Sequence, residues 1–440
     1  MNSPLLRLVQ RLVFISPFLY PAYFLRFAVA GIPFTVTEIF IYVLFGLWVA
    51  ELIRDRKIVI WDQRTRRYWY AVFLLFIGAT LGVLYAPEFL QLPSGEILNA
   101  KLTTLGVWKG WVVAPMLYFA VLTQVLKSQK DVEKILRMFV YSAVLVSLLA
   151  YGLGLFSKGV TIDFRLRGFY ESANYLALYL VPAILINIYF VLRRQSPPTK
   201  QDVINISTLV ILVYSLFFTQ SYAGIIGVFG SLGLFVLYLA IKIPKFRKKG
   251  IGAIFLLVAI FIVIILSQLN APKFKQFLDY KNRSSTSVRL EIYQTSWDLL
   301  KEHPVIGHGP GLFQANYQIQ APKTLERAPL EWNMPHPHNI FLGFWMNAGL
   351  LGLIAFLALL IFVHRPFTYP LIALWGIVIH GLFDMPFWKN DLAMIFWLII
   401  ASILILQKHA THPIKKPASK IARRSAGSIK KSAVRKKRIA

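Results

Sequence analysis

Long apolar runs separated by short polar and basic stretches dominate the chain. A helix needs about 20 apolar residues to cross a bilayer core, and about twelve runs meet that length. They cover residues 12 to 30, 35 to 53, 68 to 86, 107 to 126, 135 to 156, 172 to 192, 203 to 219, 222 to 241, 250 to 268, 338 to 362, 368 to 384 and 391 to 407. Strands of a membrane barrel would alternate apolar and polar positions in segments of about 10 residues, which these runs do not do. The predicted fold class is therefore all-α, a polytopic membrane protein.

Between the ninth and tenth runs, residues 269–337 are polar and proline-rich enough to leave the bilayer. Within them, STSVRLEIYQTSWDLLKEHP (285–304) predicts a short amphipathic helix. Ser and Thr stand at its start, Pro304 ends it, and Leu290, Tyr293, Trp297 and Leu300 recur at helical spacing. Such an aromatic stripe suits a helix lying on the membrane interface or on the top of the bundle. Arg289 falls in its first turn. The predicted organisation is a transmembrane domain over 1–407, the 269–337 loop inserted in it, and a basic tail over 408–440.

Charge orients this array. Lys and Arg collect at Arg54, Arg56, Lys57, Arg64, Arg66 and Arg67, at Lys127 and Lys130, at Arg193 and Arg194, in KIPKFRKK (242–249), and in the tail. Positive loops stay inside, so both termini are expected in the cytoplasm and the 269–337 loop on the outer face. A mean hydropathy of +0.59 and 57% hydrophobic residues exclude an ordinary water-soluble domain. The net charge of +29 raises a nucleic-acid reading of the tail, but a solvated segment near anionic headgroups accounts for it more cheaply, and no nucleic-acid partner is expected. Arg7, Arg11 and AVAG (28–31) imitate a signal peptide. Pro17, Pro21 and Arg26 fit a retained helix better. Cysteine is absent and carries no redox information, and no inverted repeat of the transporter kind is visible.

Ionisable residues near the membrane interior are costly and mark candidate sites. Glu38 and Arg26 are positioned to pair with one another. Lys109 and Asp384 lie near the same face, either lining a pocket or paired structurally. GHGPG (307–311) reads as a tight turn rather than a phosphate cradle. The sequence NMPHPHNIFLGFWMNAGLLGL (333–353) places His336, His338 and Asn339 directly before an apolar run.

Here the chain resembles the O-antigen ligase and polymerase superfamily. His338, Asn339, nine residues, Gly349, two residues and Gly352 follow its pattern His-(Asn/Ser/Gln)-x9-Gly-x2-Gly. RLRGFYESANYLALYLVP (165–182) resembles another of its blocks, and HGLFDMPFWKNDLAMIFW (380–397) its closing helix pair. One departure stands out. The family's arginine after the serine between the seventh and eighth helices is Tyr222 here, in TQSYAG, which leaves Arg165, Arg167 or Arg283 as substitute cations.

The resemblance implies a bacterial inner-membrane enzyme, its active site facing the periplasm. It would move a glycan from an undecaprenyl diphosphate carrier to a hydroxyl of a lipid A-core or other envelope acceptor, among membrane lipids. That chemistry needs a base with a near-neutral pKa and fixed positive charge for the departing diphosphate, which His338 and Arg289 can supply. Arg165, Arg167, Asn174, Tyr222, Arg283, His336 and Asn339 are the expected substrate contacts. A ready-made diphosphate leaving group calls for no cofactor, and neither a P-loop nor a convincing zinc spacing is present, so no metal is expected. His338 as a simple helix cap and Arg289 as an anchor for lipid phosphate are the bland alternatives. A repeat-unit polymerase is the near functional alternative, disfavoured by the single long outer loop. A transporter of lipid-linked glycan is the distant one.

Overall fold

The computed structural model describes residues 3–411 except 30–31, 58, 60, 195, 271–273 and 275–283. The expected tail beyond 411, the possible cleavage point at Ala30 and Arg283 lie outside the described residues. Among those described, ten helices are long and apolar enough to cross a membrane. They are α2 (Val36–Arg54), α3 (Gln63–Tyr85), α4 (Ala100–Val125), α5 (Gln129–Leu155), α6 (Ala173–Leu192), α7 (Lys200–Thr219), α8 (Tyr222–Lys242), α9, which opens in a 3₁₀ turn (Pro244–Ser267), α12 (Ile340–Phe362) and α14 (Asn390–Ala410). Each falls on an expected run. The protein is an all-α polytopic membrane protein.

Two expected runs take another form. Residues 12 to 30 are not one helix: α1 (Pro4–Ile15) passes into a 3₁₀ segment (Ser16–Phe24) and then a two-stranded hairpin, β1 (Arg26–Val29) with β2 (Ile32–Thr35). Pro17 and Pro21 supply no amide hydrogen, so the α-helical ladder cannot continue through them. In place of the run 368 to 384, α13 is short (Pro370–His380) and gives way to a non-helical turn. A second hairpin, β3 (Phe89–Gln91) with β4 (Ile97–Asn99), lies between α3 and α4.

Burial orders the bundle. All of the apolar window of α14 is buried, against 6% of that of α9. The first is the central post, with Trp397 wholly buried and its ring 4.9 Å from that of Phe119. The second rests on α8 and turns most of its apolar surface outward, as a lipid-facing helix does once its backbone groups are satisfied internally. The basic clusters gather at one end: Arg64 donates to the Gln407 carbonyl at 2.6 Å, Lys408 pairs with Asp62 at 2.8 Å, and Arg193 pairs with Glu133.

The long loop builds two helices at the other end. Ser284 and Ser287 cap α10 (Ser285–Glu302) reciprocally, and α11 (Phe313–Leu325) follows, a helix the apolar pattern did not predict. They pack through Ile292, Leu299 and Leu300 against Phe313, Tyr317 and Ala321. The buried face of α10 is thus Ile292, Thr295, Ser296 and Leu299 rather than the expected stripe. Leu290 and Trp297 stay exposed, Tyr293 is half-buried, and of the stripe only Leu300 is fully buried. Thr295 and Ser296 share the buried face although their hydroxyls have no hydrogen-bond partner among the described residues, and Leu290 and Trp297 are left for the interface.

The GHGPG segment is a turn. The amides of His308 and Gly309 donate to the Met346 carbonyl, and that of Gly311 to Asn347 Oδ1, so α12 consumes the donors a phosphate would need. Opposite it, α12 kinks at Gly349 (φ +64°). A Cβ there would lie 2.3 Å from the Val305 carbonyl oxygen, so both the backbone angle and the close approach require glycine. This seat fixes the loop on the bundle and brings residues 333–339 over the helix ends.

Candidate functional site

The Asn339 side chain caps α12, accepting from the amides of Phe341 and Leu342 at 3.0 and 3.2 Å. The residue before it, His338, takes a left-handed backbone (φ +47°), unusual for a non-glycine residue and common where function over-determines geometry. Its ring Nδ1 lies 3.6 Å from Asp384 Oδ1, and its carbonyl accepts from the Tyr293 hydroxyl at 3.1 Å. His336 stacks edge-on with it at 4.3 Å between centroids. The His336 Nε2 is 3.1 Å from the Tyr175 hydroxyl and 3.7 Å from Asp384 Oδ1.

Asp384 sits in the turn after α13 and is 1% exposed. Its Oδ1 accepts from the Met385 amide at 2.9 Å, while Oδ2 and His338 Nδ1 are buried without a hydrogen-bond partner. From the other side, Arg289 and Tyr293, one turn apart on α10, grip the same turn. Arg289 Nε donates to the Phe383 carbonyl at 3.1 Å and Nη1 to the Ser285 carbonyl at 3.0 Å. His336, His338, Arg289 and Asp384 therefore meet, although the last stands 95 residues after Arg289 in the chain (384 − 289).

Beside this cluster lies a cleft of about 110 Å³ lined by Arg289, Arg165, Asn174, Tyr222 and Phe383 among others. Arg165 is 7% exposed. It donates to the Thr219 carbonyl at 2.8 Å and to Asn174 Oδ1 at 2.6 Å. Among the described residues neither guanidinium has a carboxylate at ion-pair distance. At its far edge the cleft reaches Ile226, which also lines an apolar groove between α8 and α9 with Phe229, Gly230, Val258 and Phe261.

The titratable groups of the loop and turn respond to this burial. Desolvation lowers the His338 pKa, opposed by the Asp384 carboxylate and reinforced by Arg289. His336 is pushed down to about 3 by burial and then by His338. Burial pushes Asp384 up, but the imidazoles of His338, His336 and His380 and the Arg289 guanidinium together hold it at about 2. At neutral pH the cluster thus presents neutral imidazoles beside an ionised carboxylate, with a guanidinium close by. Ligand atoms of His336, His338 and Asp384 lie within 4.8 Å of one another, so these are also the residues that could hold a divalent cation.

Other expected contacts lie elsewhere or play different parts. Arg167 directs its guanidinium to the carbonyls of Val160, Tyr170 and Lys158, closing its own loop. Of the two described substitute cations, Arg165 is the one that lines the cleft with Tyr222. Glu38 pairs with Lys109 at 2.5 Å and accepts from Asn390 Nδ2 at 2.9 Å, which corrects the expected pairing with Arg26. The packing of α4 on α2 brings Lys109 to Glu38, whereas Arg26 is held in β1. Lys389 was missed. Its ammonium stands 3.5 Å from the Tyr175 ring centroid and 3.8 Å from Glu171 Oε2, adjoining the histidine pair through Tyr175. A lysine between two apolar runs was the available signal.

Residues 207–357 match the family model described as O-Antigen ligase. A Haemophilus influenzae protein described only as "Uncharacterized protein" is 23% identical over 201 residues, 42% of this chain and 47% of the relative. The chain thus spans about half the length of the curated relative it matches. The family match takes in Tyr222, Arg289, His336, His338 and Asn339 but ends before Asp384, which the fold alone brings to them. Over residues 207–357, about a third of its length, the chain is thus similar to the O-antigen ligase family.

Proposed function

We propose that this protein transfers a glycan from a polyprenyl diphosphate carrier to an acceptor hydroxyl at the outer face of a bacterial inner membrane. The observation that carries this reading is a polar cleft that adjoins an apolar groove at a shared residue, Ile226. The cleft holds two guanidinium groups without carboxylate partners among the described residues, Ile226 lines both it and the apolar groove between α8 and α9, and Asp384, 3.6 Å from His338, directly follows the cleft residue Phe383. A lipid diphosphate has that same division of charge and oil.

In a single displacement the acceptor oxygen attacks the anomeric carbon as the bond from that carbon to the diphosphate oxygen breaks. Neutral His338 takes the hydroxyl proton, and Asp384 stabilises the imidazolium so formed. Arg289 and Arg165 take up the charge released on the diphosphate, the planar fork of Arg289 matching two phosphate oxygens. Asn174 holds Arg165 in place. His336, kept neutral by burial and tied to Tyr175, packs the base into one orientation. No step requires nucleotide or metal.

The test uses purified protein, a lipid diphosphate-linked glycan and lipid acceptors from the native envelope. The reading predicts a glycosylated acceptor and free carrier diphosphate, formed equally with and without a strong chelator. Donor that crosses the bilayer with its sugar bond intact, with no product from any acceptor, would instead identify a transporter. Product built only on a second carrier-linked glycan would identify a polymerase, which shares the chemistry and differs in acceptor.

A further inference from the structure

A second cleft lies on the same end of the molecule and differs in chemistry. It occupies about 500 Å³, within the range of roughly 300–1,000 Å³ typical of small-molecule sites. The β3–β4 turn forms one wall with Ser94 and Glu96, α11 forms another with Gln314 and Gln318, and Trp332 with Asn333 closes the third. Its lining contains neither lysine nor arginine, so it is unsuited to a diphosphate.

The wall groups are the ones a sugar uses. Trp332 is 39% exposed, and the negative face of an indole attracts the C–H edges of a pyranose ring. Gln314 and Asn333 present both donors and acceptors, as hydroxyl-rich ligands require, and Glu96 has no cationic partner among the described residues. Gln318 donates to the Trp332 carbonyl at 3.2 Å, tying the aromatic platform to α11. Trp332 is also six residues from His338 along the chain (338 − 332). Even fully extended, that segment spans about 20 Å, the length of a few sugar rings.

We infer that this cleft, formed by Trp332, Gln314, Gln318, Asn333, Ser94 and Glu96, is a saccharide subsite that holds sugar units of a glycan substrate away from the reacting bond. The inference rests on the proposed glycan transfer for its ligand. Two sources offer the same chemistry, the carrier-linked glycan and the saccharide part of the acceptor.

Titration calorimetry on the purified protein in detergent distinguishes them with two soluble probes. One is the oligosaccharide released by mild acid from the cell's carrier-linked glycan, and the other is the acceptor saccharide freed of its lipid. One probe is expected to bind saturably, and its identity names the source. Trp332→Ala should weaken that binding about tenfold, Trp332→Phe much less, and Gln314→Ala severalfold. Arg289→Ala should leave it unchanged, because that guanidinium lines the other cleft. Binding by neither probe, or equal binding by correctly folded Trp332→Ala and the parent protein, overturns the inference. So does a Trp332→Ala variant that changes only insertion into vesicles, since that marks an interfacial anchor. The two readings fail separately: saccharide binding lost with Trp332 but no transfer with any acceptor would sink the transfer reading alone, and transfer with unchanged KM for both substrates in Trp332→Ala would sink the subsite alone.

Discussion

Two groups of buried charge stand at the same end of this bundle, and they are completed in opposite ways. In the first, Lys109 meets Glu38 at 2.5 Å and also donates to the Pro33 carbonyl, while Asn390 occupies the other Glu38 oxygen. Charge answers charge, and the oxygens and donors are spoken for. In the second, Arg289 and Arg165 bind backbone carbonyls and an amide oxygen, Asp384 keeps one oxygen without a partner, and His338 keeps a ring nitrogen without one. Burying ions costs several kcal/mol each, so a closed pair is the economical arrangement for holding helices together. A cluster left open beside a cleft is the arrangement for holding something else. The difference between them separates a structural pair from a site more sharply than burial does, since each group joins a buried carboxylate to half-buried partners.

That contrast can be broken most forcefully at His338. Replacing it with alanine removes the base while disturbing little packing, and transfer should fall by about 10² to 10⁴, with the protein still inserted and monodisperse. A variant that transfers normally would return His338 to a helix-start role. Arg289 comes next. Arg289→Ala should lose about 10² in kcat/KM, and Arg289→Lys should recover part of it, since lysine keeps the charge but not the planar fork. Full activity with lysine would mean that Arg289 only holds lipid phosphate.

The closed pair is expected to behave in reverse. Lys109→Met strands a buried carboxylate and should cost about 3 kcal/mol, read as a lower Tm in detergent. Adding Glu38→Gln should restore much of the loss. Transfer by whatever remains folded should stay near the parent's in both. A selective loss of turnover without a change in Tm would move this pair into the site.

The smallest effect is in pH. His338 acts as a base only when neutral, and burial has lowered its pKa, so the acid limb of the kcat/KM profile should lie below histidine's ordinary value of about 6.5. The Asp384 carboxylate opposes that lowering. Asp384→Asn should therefore shift the acid limb to still lower pH, besides reducing the rate. A shift toward higher pH would mean that Asp384 does not face the group that titrates.

Much of this was legible in the chain alone. Apolar runs of membrane length fixed the helices because a bilayer leaves the backbone few alternatives, and the basic clusters that the alternation rule assigns to one side do gather at one end. Local chemistry made the start of α10 and the turn at 307–311 legible, through Ser and Thr in the one and Gly and Pro in the other, whereas the cap of α12 is Asn339 rather than His338 and the kink at Gly349 depends on the distant Val305 carbonyl. His338 and Arg289 were legible through a motif. What the sequence could not supply were contacts between distant segments. Lys109 rather than Arg26 answers Glu38, Arg165 rather than Arg167 enters the cleft, and Asp384 closes on His338, because these choices depend on how α4, α7 and α13 pack. The buried face of α10 escaped for a related reason: Thr295 and Ser296 are buried with unpartnered hydroxyls, a cost that only the packing around them offsets, and an apolar pattern carries no record of them.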